Sequence, residues 1–161
     1  MDYSALPGKF FEEFREGEEF VTPSRTITEV DIINFAGISG DFNPLHVDEE
    51  YAKKSIHKGR IAHGSLITSI ATGLMARLGL WESTALANLG YEWKFHMPVK
   101  IGDTITVKLK IGSKKETKRQ DTGIIQREIN VFNQREELVL SGRSAFLVKR
   151  APRENGSTKK L

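Results

Sequence analysis

Apolar residues along this chain recur with two periods. Val30, Ile33, Phe35 and Ala36 fall near a helical repeat, whereas Ile105, Val107, Leu109 and Ile111 alternate with polar neighbours as in a half-buried strand over Thr104 to Ile111. Leu86 to His96, Gly123 to Phe132 and Leu138 to Val148 predict three further strands, the last two joined by a hairpin turn at Asn133 to Glu137. Met97 to Asp103, with Pro98 and Gly102, reads as another turn, and Ser113 to Asp121 as a charged, exposed linker. Glu19 to Ile27 predicts a short strand that Pro23 either ends or places at an edge. Thr28 and Asp31 have the form of a capping box, so a helix begins there and stops in the Gly37 to Gly40 region. Asp48 caps a short helix through about Ser55, with Glu49 and Glu50 in its first turn and Lys53 and Lys54 in its last. His63 to Trp81 is the longest helix expected. It is apolar or small on nearly every side, which predicts burial all round.

A strand, helices, one long buried helix and four antiparallel strands make an α+β domain. Each element buries its apolar face if a sheet of about five strands curls around the long helix, the hotdog arrangement. This single domain is expected to span residues 1–148, with an arm over about residues 1–18 lying on the body, and residues 149–161 forming a basic disordered tail. So small a sheet leaves an edge strand open, which predicts a homodimer or higher homo-oligomer.

Composition adds limits. The 161 residues suit one core, and 39% hydrophobic with 28% charged residues is the balance of an ordinary soluble protein. Without cysteine there is no disulfide, thiolate metal site or thiol nucleophile, which fits a cytoplasmic setting. No signal-peptide pattern opens the chain, and the apolar run from Ser65 to Trp81 is interrupted by Arg77, so no membrane partner is expected. Of the net charge of +3, the tail supplies +4, from Lys149, Arg150, Arg153, Lys159 and Lys160 against Glu154, which leaves the body at −1. The body has no basic excess, and nucleic acid is excluded as a partner.

The densest chemistry lies in Gly40-Asp41-Phe42-Asn43-Pro44-Leu45-His46. Pro44 biases Asn43 away from helix and forces a turn that carries a carboxylate, an amide and an imidazole. With Phe35, Ile38 and Ser39 before it and Ala52 after it, this stretch resembles the signature of the R-specific enoyl-CoA hydratases, the hydratase 2 group of the MaoC-like dehydratase family, and agrees at each constrained position. The resemblance continues through Ile61-Ala62-His63-Gly64 and Met97 to Asp103, covering roughly Glu19 to Val148. It implies a hotdog fold, a homodimer as the minimal unit, and reversible hydration of a trans-2-enoyl thioester to the (R)-3-hydroxyacyl thioester. The thioester carrier is coenzyme A or acyl carrier protein. No metal or other cofactor is called for, since coenzyme A enters only as the substrate's carrier.

That chemistry requires water deprotonated toward C3, a proton delivered to C2, and stabilised charge on the thioester oxygen. The resemblance implies Asp41 and His46 for the proton transfers and the Gly64 amide, at a helix N-terminus, for the oxygen. Alone, Asp41 reads as a turn residue, His46 as a buried hydrogen-bonded histidine and Gly64 as the small residue where helix meets sheet. Asn43 either orients the water or builds the turn. Thr72 either supports the catalytic pair or bonds the carbonyl four residues back. His63 reads as structural, and no pattern supports His57 or His96. Lys58 and Arg60 either meet coenzyme A phosphates or form a solvated basic loop, and Phe42, Leu66, Trp93 and Phe95 either bound an acyl slot or belong to the core. A non-catalytic acyl-thioester binder or regulator and a hotdog thioesterase are the competing functions.

Overall fold

A computed structural model describes residues 8–152. The N-terminal residues of the arm before these, and tail residues 153–161, lie outside the described residues. A single 3₁₀ turn, Phe11–Glu13, precedes two short strands, β1 (Glu19–Val21) and β2 (Arg25–Thr26), where one was expected. Pro23 sits between them and both pair with the later strand Thr104–Glu116, consistent with an edge position for proline. Next come α1 (Glu29–Ser39), α2 (Pro44–Val47), α3 (Glu49–Lys54) and α4 (Gly64–Ala76). The strands β3 (Ala85–Phe95), β4 (Thr104–Glu116), β5 (Thr122–Phe132) and β6 (Leu138–Lys149) complete the six-stranded antiparallel sheet in the order β1-β4-β5-β6-β3, with β2 beside β4.

The two predicted helix caps are present. Thr28 Oγ1 accepts the Asp31 N–H while Asp31 Oδ2 accepts the Thr28 N–H at 2.8 Å, and Asp48 Oδ1 accepts the Tyr51 N–H at 3.0 Å. The inward face of β4, Ile105, Val107, Leu109 and Ile111, is fully buried and packs with Ile125, Ile129 and Val131 of β5. The strand itself runs on through Glu116, so the expected linker is half strand.

The central helix differs from expectation. It ends at Ala76, and only Leu66, Ile67, Ile70, Ala71, Leu74 and Met75 are buried. Ser65, Ser69, Thr72, Gly73 and Ala76 recur every three or four residues and form an exposed stripe, so the sheet wraps one face of α4 rather than its whole circumference. The arm is more than a strap on the surface. Phe11 and Phe14 enter the core, Phe14 stacked on Trp81 with ring centroids 4.6 Å apart. Phe11 lies so close to Gly123 that a Cβ there would come 2.2 Å from its ring. At the other end Lys149 closes β6, and Arg150 bonds Glu12 at 2.6 Å and Glu116 at 3.0 Å, which moves these two residues from the expected tail into the fold.

Asp103, in the turn before β4, ties that turn to the β5–β6 hairpin. It accepts the Lys100 N–H and the Gln134 side-chain amide, each at 2.8 Å, and faces Arg135 at 3.4 Å. Burial pushes this carboxyl up, but the Lys100 amide, Gln134 and Arg135 outweigh it and hold the carboxyl below the ordinary aspartate range. Its folded-state pKa is therefore depressed. Its stabilisation is complete above the unfolded value of about 3.9 and is lost as pH falls through the folded value. Asp103→Asn is expected to cost about 1–3 kcal/mol near neutral pH. The gap to the parent protein should close under acid, as read from urea midpoints across pH. A gap independent of pH would contradict this assignment.

Candidate active site

A relay of local bonds shapes the loop after α1. Gly40 ends the helix at φ 75°, its N–H on the Ala36 carbonyl at 2.8 Å. The Ser39 hydroxyl donates to the Phe35 carbonyl and accepts the Asp41 N–H. Asp41 Oδ1 accepts the Asn43 N–H at 3.1 Å, and Asn43 Oδ1 accepts the Leu45 N–H at 3.0 Å. Asn43 is thus the N-cap of α2, with Pro44 in the first turn where a missing N–H costs nothing. Of the two roles open to Asn43 in the sequence, turn architecture is the one displayed.

His46 follows in α2, and its Nδ1 lies 2.8 Å from the Ile61 carbonyl. A carbonyl only accepts, so Nδ1 carries the hydrogen and Nε2 keeps the lone pair. His63, the N-cap of α4, has its Nε2 2.9 Å from the main-chain carbonyl of Asp41 and is the opposite tautomer. The two rings stack with centroids 3.8 Å apart and planes 29° apart. One ligand-type atom from each of Asp41, His46 and His63 lies within 4.8 Å of the other two, with Asp41 exposed, His46 half-buried and His63 buried. A water making two hydrogen bonds of about 2.8 Å bridges such a separation, so a carboxylate and an imidazole can hold the same water. One carboxylate and two imidazoles are also metal-ligand types, brought together across 22 residues with no spacing in the sequence to announce it. The ring stack opposes a shared ion, because lone pairs in near-parallel planes do not converge on one point.

Gly64 opens α4. The His63 side chain makes no capping bond, so the first-turn amides have no side-chain partner there and no acceptor within the helix. A cleft of about 330 Å³ passes Gly64 and His46, walled by Ile61, Ile67, Phe95, Met97, Val99 and Leu140. The cleft therefore brings together an imidazole with a free Nε2, an uncapped helix N-terminus and an apolar slot.

The sequence family described as "MaoC like domain" matches residues 12–131. The chain belongs to the MaoC-like domain family. It is 45% identical over 102 residues to Protein MaoC of Klebsiella aerogenes and 39% identical over 97 residues to an (R)-specific enoyl-CoA hydratase of Rhodospirillum rubrum. Those alignments cover 63% and 60% of this chain but only 30% and 65% of the two relatives. Among solved structures, that of a monoamine oxidase regulatory protein from Archaeoglobus is 37% identical, with a TM-score of 0.85 over 90% of this chain and 97% of that one. The fold is a hotdog, a sheet of few strands wrapped on one helix. Among the described residues no helix is long and apolar enough to cross a membrane.

Other expected site residues of this MaoC-like domain are placed differently. Thr72 stands on the exposed stripe of α4 and donates to the Thr68 carbonyl at 2.9 Å, the alternative four residues back. Arg60 is held by Glu29 at 2.8 Å and Glu49 at 3.0 Å, joining α1 to α3; it is committed to those carboxylates rather than free for a phosphate. Lys58, exposed at φ 56°, has no ion pair among the described residues. Leu66 is core and Phe42 is exposed, and neither lines the cleft. Trp93 lies on Gly142 instead, where a Cβ would come 2.3 Å from its ring. Of the four apolar candidates only Phe95 lines the cleft, joined by His57 and by His96, whose Nε2 is 2.8 Å from Ser141 Oγ.

Phe95 also tests the two readings of Gly64. A Cβ on Gly64 would come 2.8 Å from Phe95 Cε1, but the contact is with the far end of a side chain that is more than half exposed. Gly64→Ala is accordingly expected to change stability by less than about 1 kcal/mol. If the amide serves the thioester oxygen, kcat falls by about tenfold or more. A stability loss with kcat intact would make Gly64 a packing residue only.

Proposed function

We propose that this MaoC-like domain adds water reversibly to a trans-2-enoyl thioester of coenzyme A or acyl carrier protein, giving the (R)-3-hydroxyacyl thioester. One observation carries the reading: ligand-type atoms of Asp41 and His46 lie within 4.8 Å of each other, close enough for one water to bridge them, and His46 shares its cleft with the uncapped N-terminus that begins at Gly64. Asp41 and His46 exchange protons with the water and with C2, while the Gly64 amide and the helix dipole stabilise charge on the thioester oxygen. The relative from Rhodospirillum rubrum, named as a hydratase of this stereochemistry, supports the assignment. Lys58, exposed and without an ion pair among the described residues, is a candidate to meet a carrier phosphate.

The open edge of β3, with Leu86, Leu89 and Phe95 exposed, favours a second copy pairing there. Purified protein is expected to remove the conjugated absorbance of crotonyl-CoA without releasing free thiol, and to sediment at twice the 18.1 kDa chain mass. Release of free thiol would point to a thioesterase. The similarity to the Archaeoglobus regulatory protein favours a second reading, an acyl-thioester-binding regulator. Saturable binding of acyl-CoA without turnover at any chain length would establish that alternative.

A further inference from the structure

We infer that His63 is a positioning residue that sets the Asp41 carboxylate and the His46 imidazole in register with each other and with the N-terminus of α4. The inference rests on the hydratase reading for its kinetic consequence, but its structural basis is independent of turnover.

The segment from Ile61 to Gly64 touches every part of the proposed site. The Ile61 carbonyl takes the His46 Nδ1–H and so leaves Nε2 as the reactive nitrogen. The Ala62 N–H donates to the Val99 carbonyl at 2.8 Å, fixing the segment to the wall of the cleft. His63 then donates from Nε2 to the Asp41 carbonyl at 2.9 Å, while its face lies on His46 at 3.8 Å. Phe35 of α1 is tilted against His63 with ring centroids 5.1 Å apart. Gly64 follows with its amide at the helix start. A shift of His63 therefore moves acid, base and oxyanion donor relative to one another, whereas the bonds within the loop fix Asp41 only relative to its own turn.

A space-filling role does not account for a histidine here. The ring is 1% exposed, and its Nδ1 is buried with no hydrogen-bond partner among the described residues. Such an atom carries a cost that phenylalanine, with the same stacking face, would avoid. What phenylalanine lacks is the Nε2–H on the Asp41 carbonyl. The unmet nitrogen is the consequence of a ring kept for its other nitrogen.

Two substitutions separate the contacts. His63→Phe keeps a ring on His46 and loses the donor; His63→Gln places an amide N–H where Nε2 was and loses the ring. With crotonyl-CoA, His63→Phe is expected to lower kcat by about tenfold to a hundredfold with KM changed by less than about twofold. His63→Gln should recover most of that loss, to within about threefold of the parent. In parallel, the ring-nitrogen resonances of His46 and the amide exchange of Phe42 to His46 should move in His63→Phe. Unchanged kcat and unchanged loop signals in His63→Phe would overturn the inference. So would losses in both variants that track thermal destabilisation without rescue by glutamine. If the parent protein is inert toward enoyl thioesters while the loop signals still respond to His63→Phe, the hydratase reading fails and the positioning role stands.

Discussion

Asp41→Asn and His46→Asn each reduce kcat for hydration of crotonyl-CoA by about 10²–10⁴-fold, the range that general acid–base catalysis supplies. Both are chosen to spare the loop. Asparagine at position 41 still presents an oxygen to the Asn43 N–H, and at position 46 it still presents an N–H, where Nδ1 was, to the Ile61 carbonyl. What each removes is the ability to take or give a proton. Because the two groups are proposed to act on one water, the double variant should be little slower than the worse single one, since residues that act as a unit are strongly non-additive. Circular dichroism and thermal midpoints close to the parent keep the comparison clean. A folded single variant with near-parental turnover sinks the proton-transfer assignment, and fully additive losses would mean that the two residues do not share a water.

Local rules make much of this fold and site legible in the sequence. The caps at Thr28 and Asp48, the left-handed stop at Gly40, the non-helical Asn43 before Pro44 and the hairpin at Asn133 to Glu137 each depend on residues within a few positions of one another, and each is present, although Pro44 opens the short helix α2 where a turn through His46 was expected. Asp41 and His46, only five positions apart, stand out in the sequence for the same reason. The departures are long-range. Arg60 finds its partners on α1 and α3, and no local pattern shows that its charge is taken. The contact of His63 with Asp41 closes across 22 residues, so His63 by itself reads as a core histidine. The small residues of α4 carry no sign of which side the sheet will cover, and the whole helix therefore looks buried. Arg127 is a different case. Period two places it on the face of β5 that holds Ile125, Ile129 and Val131, and only the expectation that arginine stays in solvent hides it.

That buried arginine carries the largest expected effect on stability. Arg127 is 1% exposed, and no carboxylate pairs with it among the described residues. Its Nε and Nη2 donate to Ser144 Oγ at 2.9 and 2.7 Å, Nη2 also reaches the Tyr91 hydroxyl at 3.4 Å, and the guanidinium carbon lies 3.6 Å from the Phe146 ring centroid and 5.1 Å from that of Trp81. Burial pushes its pKa below the ordinary arginine value, with the Tyr91 hydroxyl opposing, so the cation is held at a cost that aromatic faces and two hydroxyls only partly offset. Arg127→Ala removes the filler of an aromatic box and strands Ser144, and is expected to cost about 3–5 kcal/mol. Arg127→Met keeps most of the volume and removes the desolvated charge, so its cost should stay below about 2 kcal/mol. Urea midpoints of the two variants read the difference directly. A methionine variant as unstable as the alanine one would assign the stabilisation to the guanidinium's own bonds to Ser144 and Tyr91. A large gap assigns it to packing and makes Arg127 a spacer whose charge the core tolerates.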